Sequence, residues 1–286
     1  MSRHGTPRFI VIMLAILLLG GLSVYRAASS ETATRRHALA TPFSHASAAL
    51  SRLCGQAGWP ESPVGHGAYV VQNDEWNSTA PECITTNGSP QFTVASSSIY
   101  EPASRDPGGY PSIFSGCSAG VCTAGNKMPI RVRDLRPGMV TSSWTTVQPQ
   151  SGAYDVAYDI WFNRTPSTSG PPDGAELMIW LAHRGGSQIA PGGDPVAHVT
   201  IGGRAYTIWL WSGSPRSGQP HGQVSYVMDR SALSVQDLDL SAIIADAARR
   251  KYIAGSSYLL NVQAGFELWQ GGAGLEAKSF TIYVGR

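Results

Sequence analysis

Asp173-Gly-Ala-Glu-Leu-Met-Ile-Trp-Leu181 decides how the rest of this chain is read. As a β-strand its side chains alternate between two faces. Ala175, Leu177, Ile179 and Leu181 form one clean apolar face for a core. Glu176, Met178 and Trp180 form the other, and a carboxylate, a thioether and an indole are an odd set for a solvated surface. A carboxylate beside a large aromatic suits a sugar-binding groove, because aromatic faces stack on pyranose rings while carboxylates perform acid/base work. Ala264-Gly-Phe-Glu-Leu-Trp269 has the same form, with Glu267 and Trp269 on one face and Phe266 and Leu268 on the other.

Working outward, the chain reads as short strands between turn signals. Tyr154–Phe162 alternates strictly: Tyr154, Val156, Tyr158, Ile160 and Phe162 on one face, Asp155, Ala157, Asp159 and Trp161 on the other. Strands are also expected at Ala68–Asn73, Gln91–Ala95, Ile130–Arg133, Val224–Met228, Tyr258–Gln263 and Ser279–Val284. Ala197–Ile201 and Arg204–Trp211, joined by Gly202-Gly203, form a hairpin with a two-residue turn. One helix signal stands out at Asp239–Tyr252, with Leu240, Ile243, Ile244 and Ala247 at helical spacing, Asp239 or Ser241 as N-cap, and Arg249, Arg250 and Lys251 at the C-terminal end. Many strands with one helix predict an all-β sandwich or jelly roll.

Composition agrees with a turn-rich β protein: 286 residues, 42% hydrophobic, 14% charged, with 32 Gly and 19 Pro. A net charge of +2 leaves no electrostatic footprint for nucleic acid. At the N-terminus, Arg3, His4 and Arg8 precede the apolar run Phe9–Leu19, the pattern of a secretory signal. Candidate cleavage sites lie near Ala27-Ala28 and at Ala38-Leu39-Ala40. The run is short for spanning about 30 Å of hydrocarbon, so cleavage is expected rather than a retained signal anchor. Residues 1–28 are read as this segment, 29–50 as an Ala/Ser/Thr-rich linker, and 51–286 as one domain.

The four cysteines, Cys54, Cys83, Cys117 and Cys122, suggest disulfides in an exported chain. Of three possible pairings, the sequential one is chosen, because the tight Cys117–Cys122 loop closes easily. Zinc is disfavoured: no His stands at ligand spacing beside them. Gly116-Cys-Ser-Ala-Gly120 matches the G-x-S-x-G nucleophile elbow, but no helical pattern follows it. The histidines form no H-E-x-x-H, and Gly271-Gly-Ala-Gly274 reads as a turn.

Glu176 and Glu267 therefore carry the chemistry. Two carboxylates facing one groove are the minimal equipment for glycoside hydrolysis. One attacks the anomeric carbon or activates water. The other protonates the leaving oxygen, which requires a raised pKa. Asp159, on the polar face of its strand, would share a proton with a nearby Glu176 and tune its charge.

These segments, in this order, resemble glycoside hydrolase family 12, the small β-jelly-roll endoglucanases. The resemblance runs through Val71-Gln-Asn-Asp-Glu-Trp76, Gly109-Tyr-Pro-Ser-Ile-Phe-Ser-Gly-Cys117, Ser143-Trp-Thr145, Tyr154–Trp161, Glu176-Leu-Met-Ile-Trp180 and Gly265-Phe-Glu267, and covers roughly Cys54 to Val284. It implies two antiparallel sheets with a concave groove. It also implies a retaining mechanism with Glu176 as nucleophile, Glu267 as general acid/base and their carboxyls about 5–5.5 Å apart, with Asp159 hydrogen-bonded to Glu176. Asn73, Trp76, Met178, Trp180, Pro191 and Trp269 would line the groove. The implied substrate is a β-1,4-glucan (cellulose, mixed-linkage glucan or xyloglucan), with no metal or cofactor, and a secreted monomer is expected. Departures fall at Asp74-Glu75, more acidic than the family's Asn-containing strand, at Asn77 in place of the usual Gly, in the Cys117–Cys122 loop, which lacks an aromatic, and in a longer Gly213–Gly222 loop. A non-catalytic glycan-binding jelly roll is the competing reading.

Overall fold

The strand opened by Glu176 becomes a nine-residue element, Glu176–Arg184, near the middle of the larger of two sheets. The structure, a computed structural model, describes residues 50–56, 61–211 and 222–285. The chain divides into Met1–Ala46 and Ser47–Arg286, and the description concerns the second unit. The expected signal segment, nearly all of the linker, and the Gly213–Gly222 loop apart from Gly222 lie outside the described residues.

From edge to edge, the main path of the larger sheet is Asp194–Ile201, Arg204–Trp211, Gln223–Met228, Glu176–Arg184, Ala153–Asn163, Tyr258–Gly265, Ser112–Ser118, Tyr69–Gln72 and Glu61–Val64. The smaller runs Ser51–Cys54, Glu82–Thr86, Phe92–Ser97, Glu276–Val284, Val140–Val147 and Ser234–Asp239. This is the expected jelly-roll sandwich. Among the described residues its ladders are antiparallel except one: Glu176–Arg184 pairs in parallel with Gln223–Met228. The hairpin Asp194–Trp211 lies outside that pair, and Gln223–Met228 returns between hairpin and Glu176 strand.

The alternation in the sequence sets which face is dry. Leu177, Ile179, Leu181, Tyr158, Ile160 and Phe162 are all fully buried and share one core with Trp144, Phe92 and Phe280 of the smaller sheet. Each such side chain contributes roughly 1.5–3 kcal/mol of burial. Trp144 joins the sheets, its ring 5.1 Å from Tyr158 and 5.8 Å from Phe266. The helix Leu240–Arg249 begins as expected at Asp239, which accepts the Ala242 N–H at 3.0 Å, and buries Leu240, Ile243, Ile244 and Ala247. Both disulfides pair sequentially, Cys54–Cys83 between the edge strand of the smaller sheet and its neighbour, and Cys117–Cys122 across a tight hairpin. The G-x-S-x-G match falls in that hairpin, strand to turn to strand, where no nucleophile elbow can form.

Two expectations need correction. Ile130–Arg133 is strand only for Ile130–Arg131 before a 3-10 turn over Val132–Asp134. Ala264–Trp269 is not one strand: the ladder ends at Gly265 and resumes at Leu268–Gln270. Between them the backbone changes partners, Phe266 donating to the Pro111 carbonyl at 3.2 Å and Leu268 to the Gly109 carbonyl at 3.0 Å. The faces survive the break, with Phe266 and Leu268 in the core.

Candidate active site

Two neighbouring strands, and the break that follows a third, carry the acidic groups of the site. Glu176 opens its strand and lies across from Trp161 on one side and Gln223 on the other. Gln223 Nε2 donates to Glu176 Oε1 at 3.3 Å and also reaches Met178 Sδ. One pleat further, Asp159 lies between Met178 and Gln263. It is 6% exposed, and its Oδ1 is buried without a hydrogen-bond partner. Glu267 sits where the ladder breaks. Its N–H donates to Asp155 Oδ1 at 3.0 Å, and the Asp155 N–H returns to the Glu267 carbonyl at 3.1 Å. Asp155 thus spends one carboxylate oxygen in fixing the backbone that carries Glu267.

This crowding has an electrostatic consequence. Burial, and then the charges of Glu176, Glu267 and Asp74, raise the Asp159 pKa well above the ordinary carboxylate range. Burial raises Glu267 as well, reinforced by Asp155 through charge and a hydrogen bond, and then by Glu176. Asp155 is itself pushed up to about 7, mainly by burial. Carboxylates that each raise the pKa of the next resist ionising together, so their titrations are coupled. A carboxylic acid kept protonated beside a second carboxylate is what leaving-group protonation requires.

The expected groove residues divide by exposure. Met178, Trp180 and Trp269 do come together on the groove side, with Ala153, Ala157 and Ile189. They are almost wholly covered, Trp180 at 1% and Trp269 at 5% exposed. Their indoles lie 6.5 Å apart, and Trp269 Nε1 donates to the Arg105 carbonyl at 2.7 Å. They are a packed foundation rather than open stacking faces. Asn73 is also fully buried, its amide directed to the Gly55 carbonyl. Its neighbours carry the polar contacts: Gln72 Nε2 reaches Asp74 Oδ2, Ser112 Oγ and Gln263 Oε1. Trp76 is partly exposed, and Pro191 is buried beside Gly192, which faces Trp211 and Gln223.

The sequence reading did not nominate Asp155, Gln223, Tyr110, Trp209 or Trp211. Asp155 shares the face of Asp159 by simple alternation, a signal that was present. Trp209 and Trp211 fall on the groove face because Trp211 pairs with Gln223 and Trp209 with Ser225. Tyr110 donates to the Ala157 carbonyl at 2.9 Å, beneath the carboxylates; no local pattern announces it.

Two sheets, an acidic cluster on one face and a partly exposed aromatic rim define the class of jelly-roll glycoside hydrolases. The model of glycosyl hydrolase family 12 matches residues 67–285. The probable cellulase Cel12b of Mycobacterium tuberculosis is 31% identical over 163 residues, 56% of this chain and 99% of that protein. The xyloglucan-specific endo-beta-1,4-glucanase A of Emericella nidulans is 26% identical over 270 residues, 92% of this chain and 98% of its own. Among solved structures, the endoglucanase cel12A of Rhodothermus marinus superposes with a TM-score of 0.74 at 35% identity, covering 82% of this chain and 98% of its own. The chain belongs to glycosyl hydrolase family 12.

Proposed function

We propose that the protein is a secreted, retaining endo-β-1,4-glucanase that cleaves internal bonds of cellulose, mixed-linkage β-glucan or xyloglucan. The observation that carries this is a placement: Glu176 and Asp159 stand on adjacent strands of one sheet, and Asp155 of the same strand as Asp159 holds the Glu267 N–H at 3.0 Å. Glu176 attacks the anomeric carbon while Glu267 donates its proton to the departing glycosidic oxygen, leaving a glycosyl-enzyme ester. Glu267, now a carboxylate, takes a proton from water, and the resulting nucleophile displaces Glu176 with net retention. Asp159, protonated in its buried position, hydrogen-bonds Glu176 and releases it as a leaving group. Glucan substrates are supported by the names of the relatives, a probable cellulase and a xyloglucan-specific endoglucanase.

The test is reducing-sugar release from a panel of these glucans, with the first-formed anomer followed by NMR. Glu176→Gln and Glu267→Gln are each expected to lower kcat by about three orders of magnitude or more while the far-UV spectrum is unchanged. Near-wild-type turnover in either variant removes that residue from its role, and first-formed α-anomer excludes retention. Binding of glucan with no reducing ends released returns the protein to the non-catalytic reading. Export is tested by N-terminal sequencing of the protein recovered from culture medium.

A further inference from the structure

A cavity of about 590 Å³ opens beside the groove where the Trp76–Ala80 segment faces the Ser98–Glu101 segment. Its volume lies within the roughly 300–1,000 Å³ typical of ligand sites. Trp76 and Tyr100 both line it, with Gln56, Asn77, Ser98 and Glu101. Tyr100 is 76% exposed, the most open of the large apolar side chains among the described residues. A single exposed ring means little. This ring shares a cavity with a second aromatic, and polar groups surround both.

Both walls are built. Gly271 N–H donates to the Ile99 carbonyl at 3.0 Å and Glu101 N–H to the Trp269 carbonyl at 2.6 Å, while Tyr100 bridges Gln270. Tyr100 therefore rides on the short strand that follows Glu267. Opposite, Asn77 N–H donates to the Gly108 carbonyl at 2.9 Å, Asn77 Nδ2 to the Pro107 carbonyl at 3.1 Å, and Gln56 to the Ser78 carbonyl. These bonds fix the backbone on which the Tyr100 ring is mounted, which reduces the ordering needed when a ligand stacks on it.

The lining also selects by charge. Among the described residues it contains Glu101 and no Lys, Arg or His. Phosphorylated, sulfated or uronic-acid ligands would meet a carboxylate with no cation to offset it. An uncharged pyranose fits: C–H faces for the two rings, and equatorial hydroxyls for amide, hydroxyl and carboxylate partners.

We propose that Tyr100, opposite Trp76, forms a distal subsite for uncharged glucosyl units of the glucan chain and makes the enzyme prefer long chains. This rests on the glucanase reading above. Tyr100 is a specificity residue and takes no part in bond cleavage.

The test compares the wild type with Tyr100→Ala and Tyr100→Trp on an aryl cellobioside and on cellohexaose, together with binding of a thio-linked, non-hydrolysable cellohexaose by calorimetry. Tyr100→Ala is expected to raise KM for cellohexaose and Kd for the thio-oligosaccharide about tenfold, the order for losing one aromatic anchor. Its kcat and its kinetics on the aryl cellobioside should match the wild type, and Tyr100→Trp should restore the long-chain preference. Equal effects on short and long substrates, or no effect on either, overturn the subsite. If the wild type releases no reducing ends yet binds the thio-oligosaccharide through Tyr100, the subsite stands and the hydrolase reading fails.

Discussion

At the scale of single residues, Asp155 is the most informative addition to the site. One of its oxygens anchors the Glu267 N–H, and its charge and hydrogen bond, after burial, help raise the Glu267 pKa. Glu267 must be protonated to act first, so activity falls as pH rises through its pKa. Removing the neighbouring negative charge lowers that pKa. Asp155→Asn is thus expected to move the alkaline limb of the kcat/KM profile to lower pH, with a smaller loss of kcat at the optimum than Glu267→Gln. An unmoved limb with reduced activity would mean that Asp155 only holds the backbone. Alternation had already placed Asp155 beside Asp159 on the groove face. Its hydrogen bond to a residue more than a hundred positions away had no local signal.

At the scale of elements, legibility followed hydropathy. The Tyr154 strand announced itself because its face of Asp155 and Asp159 contrasts with Tyr154, Val156, Tyr158, Ile160 and Phe162, and the Glu176 strand because a carboxylate shares a face with Met178 and Trp180. Val140–Val147 was visible only around Trp144: its inward positions include Ser142 and Thr146, buried but hydrogen-bonded, so the apolar signal is thin. Ser112–Ser118 was read only as part of a Tyr-Pro-rich segment, because it is buried on both faces and shows no period-two contrast. The helix was legible from its cap. Asp239 serves two donors, Ala242 N–H at 3.0 Å and Gly138 N–H at 2.7 Å. Asp239→Ala should lower stability by about 1–2 kcal/mol, at the upper end for an N-cap, in a denaturant titration. Replacing Cys54 and Cys83 by Ser opens a loop of sequence separation 29 and should remove about 3.6 kcal/mol on the chain-entropy estimate.

At the scale of the whole molecule, buried acid governs the pH response of stability. Burial pushes Asp74 to about 7, and burial with the Glu75 and Asp74 charges pushes Glu82 to about 8. Asp155 joins them at about 7. In the unfolded chain such groups ionise near pH 4. Between roughly pH 4 and pH 8 the native state therefore binds more protons than the unfolded state, and unfolding free energy falls as pH rises. The thermal midpoint should be higher at pH 5 than at pH 8, and Glu82→Gln should flatten the difference. A midpoint that climbs over that range would show these carboxyls to be ionised and paired in the native state. The acidic run Asp74-Glu75 was visible as a departure from the family pattern, but its closeness to Glu82 was not.

Side-chain alternation was enough to separate the core face from the face of Asp155 and Asp159 in the Tyr154 strand and to put Leu177, Ile179 and Leu181 of the Glu176 strand into the core, because a strand's period dictates which side chains share a side; the shortness of the Cys117–Cys122 loop was enough to choose the cysteine pairing. The folded molecule was needed for the break in the ladder at Glu267, the parallel strand beside Glu176, the burial of Trp180 and Trp269, and the cavity at Tyr100. Each of these depends on which distant backbone or loop packs against a given face, and a period of two carries no information about that.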